Sequence, residues 1–159
     1  MPATYAMDPV SAFGVVSGAF QVAQIITQTA AGLWSLREKY AHADLTIRSL
    51  VGELTTIKSA ITQLDDWARL QNTRSTAVTA EYTEYDEGLN VALDGCRVVM
   101  DVLSDEVASL TRGAAGTDAH IGFGTRLRAM WNEDVMRGHQ ERLRSQVVAL
   151  QLLLQACQW

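Results

Sequence analysis

Apolar residues recur at helical spacing along nearly the whole chain, and nowhere do they alternate strictly as in a half-buried strand. The sharpest run is Ile47, Leu50, Leu54, Ile57, Ile61, Leu64 and Ala68, where intervals of three and four alternate without a break. On a helix that spacing gathers every member onto one seam. With Asp44 as a candidate cap, it predicts a helix ending near Leu70. Gln71 to Ala80 is rich in Thr and Ser, lacks periodic apolar positions and predicts a loop. A third helix follows over about 81–111, with Tyr85, Leu89, Ala92, Cys96, Val99, Leu103, Val107 and Leu110 on one face. Its opening carboxylates Glu81, Glu84, Asp86 and Glu87 suit the positive end of a helix dipole. Gly113, Gly116, Gly122 and Gly124 mark a flexible connection. A fourth helix over about 125–157 then turns Leu127, Trp131, Val135, His139, Leu143, Val147, Leu150, Leu154 and Cys157 inward.

The first element has a different pattern. After Asp8 no charged residue occurs until Arg37. Asp8 before Pro9 is a good helix start, since a carboxylate caps free amides and proline at the first position loses no hydrogen bond. The predicted helix, about 9–39 with a kink near Gly32, would be long enough to cross the roughly 30 Å of bilayer hydrocarbon. Its polar residues argue against a resident span, because each unpaired amide or hydroxyl in hydrocarbon costs on the order of several kcal/mol. Ser17, Gln21, Gln24, Gln28 and Ser35 fall into one narrow stripe, and Val10, Phe13, Val15, Val16, Phe20, Val22, Ile25, Ile26, Leu33 and Trp34 fill the rest of the circumference. The segment reads as a mostly buried helix with one wet, uncharged edge.

Pro2 and Pro9 are the only prolines, so nothing interrupts long helices from residue 10 onward. Four long amphipathic segments joined by loops of about ten residues give an all-α fold, an antiparallel up-down-up-down four-helix bundle. Residues 1–8 form an N-terminal extension, and 9–159 make a single domain whose length suffices for one core. The last helix reaches Trp159 without a capping glycine or polar tail, from which the expectation is that the bundle is the N-terminal domain of a longer protein.

A net charge of −5 and a pI near 5.1 disfavour broad electrostatic binding to nucleic acid or anionic lipid. Cys96 and Cys157 are too few for a disulfide framework, and no basic region precedes the apolar stretch as in a secretory signal. A reducing, intracellular compartment follows.

The run Met7-Asp8-Pro9-Val10-Ser11-Ala12-Phe13-Gly14-Val15-Val16-Ser17-Gly18 resembles the start of the HeLo-like N-terminal domains of fungal STAND proteins, the NLR-type signalling proteins. Those begin with Met, a small or acidic residue, Pro, an aliphatic residue and Ser, followed by a glycine-bearing apolar helix. The Leu45 to Leu64 segment is similar as well. The resemblance implies a helical bundle heading a receptor-like protein with a nucleotide-binding module and repeats downstream. It implies a cytoplasmic, non-enzymatic effector of programmed cell death or an immune-type response. Its partners would be further copies of itself, the downstream domains and, on recruitment to a membrane, lipid. Plant coiled-coil immune receptors and the animal necroptosis pseudokinase use bundles of similar kind. Met1 to Ala6 depart from the pattern, since they precede the usual start and would encumber a helix inserting by its tip; Met7 as an alternative start would remove that obstacle.

The candidate membrane or oligomer contact comprises Val10, Phe13, Gly14, Val16, Gly18 and Phe20. Gly14 and Gly18 form a GxxxG pair, which permits close helix approach in lipid and equally against a neighbour inside the bundle. No catalytic constellation, cofactor motif or metal spacing occurs: there is no Walker A loop, G-x-S-x-G or H-E-x-x-H, and His42, His120 and His139 are far apart. His139 and both cysteines fall on apolar faces and read as core residues. Arg126, Arg128, Arg137, Arg142 and Arg144 make the fourth helix basic opposite an acidic third helix, for which mutual pairing or solvation is the simple expectation and a phosphate-binding face the sharper one. A constitutive helical adaptor with no membrane activity is the alternative function.

Overall fold

In a computed structural model the chain is described over residues 9–74, 82–115 and 131–158, with side chains over 18–70, 87–113 and 131–156. Four helices account for nearly all of it: α1 (Pro9–Arg37), α2 (Asp44–Arg74), α3 (Tyr82–Ala115) and α4 (Glu133–Gln158), with one 3₁₀ turn, Ala41–Ala43, between α1 and α2. No strand occurs among the described residues.

The helices close into a ring. α1 packs on α2 and α3, and α4 packs on the same two, leaving α1 diagonal to α4 and α2 diagonal to α3. Side-chain contacts fix the register of each pair. On α2 and α4, Thr46 donates to Glu133, Gln140 to Ser49, and Arg144 Nε to Glu53 Oε1 at 2.7 Å. The numbers rise together, so these two helices run in the same sense. On α3 and α4, Cys96 meets Gln146 and Gly88 meets Leu153, which is the opposite sense. α1 and α3 run together, since Gly18 faces Leu93 and Gly32 faces Val107. Lys58 Nζ donates to Thr27 Oγ1 at 2.9 Å between α1 and α2, and Arg37 at the end of α1 donates to Asp44 at the start of α2.

The core is one cluster drawn from all four helices. The seam predicted on α2 is buried from Ile47 to Ala68. On α3 the buried line is Leu89, Leu93, Cys96, Met100, Leu103, Val107 and Leu110, again alternating four and three. Ala92 and Val99, expected on that face, are half-buried beside it. On α4 the line is Met136, His139, Leu143, Val147, Leu150 and Leu154, whereas Val135 is exposed. Repeated intervals of four advance about 40° past a full turn at each step, which carries a run such as Leu127, Trp131, Val135 and His139 off any single face.

Several boundaries differ from the sequence-based expectation. α2 continues to Arg74, α3 to Ala115 with Gly113 inside it, and α1 ends at Arg37. α4 starts at Glu133, where Asn132 caps it: Asn132 Oδ1 accepts from the amides of Asp134 and Val135 at 3.1 and 3.2 Å. Asp44 does not act as a side-chain cap, because its carboxylate accepts from Arg37 and Arg48. The helix runs unbroken through Gly32, whose role is packing. A Cβ there would lie 2.7 Å from Val107 Cγ1, so glycine lets α1 approach α3. Residues 1–8 and the glycines at 116, 122 and 124 lie outside the described residues, as do the side chains of Tyr85, Cys157, Arg126, Arg128 and Leu127.

Candidate contact surface on the first helix

α1 divides its circumference sharply. Val22, Ile26, Leu33 and Leu36 are buried against α2 and α3, and Thr29 is buried among them. Gln21, Gln24, Gln28 and Ser35 form the expected wet edge. Two aromatics share it. Phe20 is 70% exposed and Trp34 is 43% exposed, so the exposed face carries large apolar rings among uncharged polar side chains. The phase of the helix explains both: Phe20, Thr27 and Trp34 recur at intervals of seven and so form one line along the border of that polar stripe. From Gly18 to Leu36 this helix contributes no formal charge of its own; the cations at that face are Lys58 of α2, on Thr27, and Arg37, against Trp34.

The two candidates whose side chains are described, Gly18 and Phe20, fall on different sides. Gly18 is half-buried and looks onto α3, where a Cβ would meet Leu93 Cδ1 at 3.7 Å, an ordinary contact. Phe20 points away from the bundle. Val10, Phe13, Gly14 and Val16 belong to the α1 backbone, and their side chains lie outside the described residues. Trp34 is not among the candidates; its seven-residue interval from Thr27 is the signal that puts it on the same side of α1 as Phe20, about 21 Å further along the axis. The Arg37 guanidinium stacks 5.4 Å from the centre of its ring.

Charge chemistry concentrates where α1 turns into α2. Hydrogen bonds from Arg48 and Arg37 hold the Asp44 carboxyl below its usual range. Trp34, Arg37, Glu38, Ala41 and Asp44 line a shallow open groove there. A second lies beside it, lined by His42, Trp131, Glu133 and Arg137. Burial alone would raise the Glu133 carboxyl, but hydrogen bonds from Thr46 and Trp131, with Arg137 and His42 nearby, outweigh it and lower the pKa. Tyr40 is wholly buried beneath this end and tilts against Trp131 with ring centres 5.4 Å apart; burial raises its phenol.

His139 is a core residue, 3% exposed, yet Nδ1 has no hydrogen-bond partner among the described residues. Burial, reinforced by Arg142 and opposed by Glu106, lowers its pKa. Burial likewise pushes the Cys96 thiol up to about 11, and its sulfur donates to Gln146 at 3.6 Å. Such a thiol is a small hydrophobe and a poor nucleophile.

Pairing between α3 and α4 is not what the described arginines do. Arg144 reaches Glu53 on α2, Arg97 pairs with Asp101 within α3, and Arg137 lies 4.0 Å from Glu133 within α4. Among the described residues no group of three or more His, Cys, Asp or Glu is placed to hold a metal ion, and no helix is long and apolar enough to cross a membrane. No known protein family, curated protein or solved structure matches the chain.

Proposed function

We propose that this chain is a non-enzymatic signalling domain, the N-terminal effector of an NLR-like receptor, which acts by self-association and, on recruitment from the cytoplasm, by perturbing a membrane. One observation carries the reading: α1 has no formal charge from Pro9 to Leu36, buries one face on α2 and α3, and shows Phe20 and Trp34 on the other. Such a helix is stable only while its companions cover it, and exposing it creates a long, neutral, apolar surface that seeks another copy or lipid. Its amides oppose permanent residence in hydrocarbon, so the membrane step is conditional on activation. The resemblance of the opening residues to HeLo-like domains supports the same class. An up-down-up-down ordering, which the contact registers support, would let α1 leave without unthreading the other helices.

Liposome leakage tests the membrane step. The chain, oligomerised, should release vesicle contents, and Phe13→Glu with Phe20→Glu should abolish release. Equal leakage from the double variant, or none from the parent, removes that step. The packing of Gly18 and Gly32 on α3 favours a second reading, a constitutive adaptor whose α1 never leaves the bundle. It predicts no leakage and unchanged protection of α1 in the oligomer.

A further inference from the structure

Thr29 of α1 and His139 of α4 are the two polar residues buried in the core among the described residues, 2% and 3% exposed. Each keeps a polar atom, Thr29 Oγ1 and His139 Nδ1, that has no hydrogen-bond partner there. Such groups are rare in folded proteins, because each has given up its hydrogen bonds to bulk water. Thr29 also differs from other threonines of this chain. Thr27, Thr55, Thr56, Thr62 and Thr111 sit inside helices too, and each donates its hydroxyl to the carbonyl four residues back. The Thr29 hydroxyl makes no such bond.

The registers of the helices bring both atoms to one level. Gly18 faces Leu93 and Gly32 faces Val107, a constant offset that sets Thr29 beside Ser104 and the core residue Leu103. Cys96 meets Gln146 in the opposite sense, which sets His139 level with Leu103 as well. Leu50 of α2 completes the layer, since Arg37 meets Asp44 from α1 and Gln140 meets Ser49 from α4. The layer on one side holds Ile26, Leu54, Met100 and Leu143, and the layer on the other Leu33, Ile47, Val107 and Met136, all apolar. α1 and α4 stand diagonal in the ring, so core side chains that they bring to one level meet at the bundle axis. Two unpartnered polar groups thus enter the same layer from opposite sides. Thr29 is also shorter than Ile26 and Leu33, its neighbours on the buried line of α1, which leaves space at that level.

We infer that Thr29 and His139 hold a single buried water molecule between them, at the one polar layer of the described core. Water both donates and accepts, so it joins the Thr29 hydroxyl to His139 Nδ1 whichever imidazole nitrogen carries the proton. Two partners lie within the roughly two to four hydrogen bonds that buried waters make. The bridge ties α1 to α4 across the axis, and it fixes the register of α1. A slide by one layer would set Thr29 against Leu143 or Met136 and leave both polar groups dry. The bridge belongs to the resting bundle, whatever α1 does on activation.

Thr29→Val, His139→Leu and the two together test it above about pH 7, where the imidazole is neutral. In the parent, a long-lived water should show nuclear Overhauser contacts to the Thr29 methyl and to the His139 ring protons. Each single substitution strands the other group and should raise the unfolding equilibrium constant about tenfold in urea titrations. The double variant, with an apolar layer, should fall at least about fivefold short of the product of the two effects. No water contact in the parent overturns the inference. So do single effects that multiply, or single variants each more stable than the parent, which is how two separately stranded groups behave. If His139→Leu does not fold, Thr29→Val decides alone: loss of the water contact at the His139 ring supports the bridge, and its persistence overturns it.

Discussion

Replacing Gly32 by alanine sets two opposed effects against each other at the α1–α3 contact. In an unobstructed helix interior, alanine is worth about 0.5 to 1 kcal/mol over glycine. Gly52 in α2 is such a site, since a Cβ there meets nothing within 4 Å. At Gly32 the added carbon would lie 2.7 Å from Val107 Cγ1, against an ordinary contact of about 3.4 Å or more, so something must move by over half an ångström. Val107 is buried, β-branched and stiff about its single side-chain torsion, and cannot swing aside. Overpacking of this kind costs roughly 1 to 3 kcal/mol, which outweighs the gain in propensity. Gly32→Ala should therefore be about 0 to 2.5 kcal/mol less stable than the parent, while Gly52→Ala should be more stable by about 0.5 to 1 kcal/mol. Urea unfolding followed by circular dichroism measures both, with unchanged slopes showing that stability alone has moved. Val107→Ala should do less harm in the Gly32→Ala background than alone, a favourable coupling in a double-mutant cycle. If Gly32→Ala stabilised the chain as much as Gly52→Ala, α1 would not be held against α3 at Val107.

Two further outcomes follow from the core and the caps. The folded state keeps His139 neutral below the ordinary histidine value of 6.5, whereas the unfolded chain takes up a proton there. Stability should be flat above that pH and fall beneath it by up to about 1.4 kcal/mol per pH unit until the folded imidazole itself protonates. His139→Phe should flatten urea midpoints between about pH 7 and 5, a window above the range where carboxylates titrate; a slope that persists in the variant would assign the proton elsewhere. Asn132→Ala removes the acceptor for two amides of α4 and should cost about 0.5 to 2 kcal/mol in the same unfolding assay, with no change there discounting the cap.

The helical architecture was legible because periodicity reports burial directly. The Ile47 to Ala68 seam keeps strict alternation of three and four, and all of it is buried. Where several apolar residues compete for one face, the pattern becomes ambiguous. Met100 and Leu93 are core residues of α3 that the Ala92 and Val99 line displaced, and Val135 was grouped inward although Met136 beside it is the buried one. Phe20 and Trp34 show the same limit on α1: with apolar residues nearly all round, composition says that much of the helix is covered but not which aromatic stays outside. Gly32 could not be interpreted without its neighbour, since a kink and a close approach both call for glycine. Nor does loop length reveal that α2 and α3, consecutive in sequence, stand diagonal in the ring. The pairing of Arg144 with α2 depends on that placement.

Hydrogen exchange along α1 bears most directly on whether the neutral helix is sheltered at rest. With α2 and α3 covering Val22, Ile26, Leu33 and Leu36, amides between Val22 and Leu36 should exchange as slowly as those between Ile47 and Leu64, both limited by unfolding of the whole bundle. Exchange through α1 that is orders of magnitude faster, with α2, α3 and α4 still protected, would show the first helix detached from its companions and would contradict the structure on which its proposed release depends.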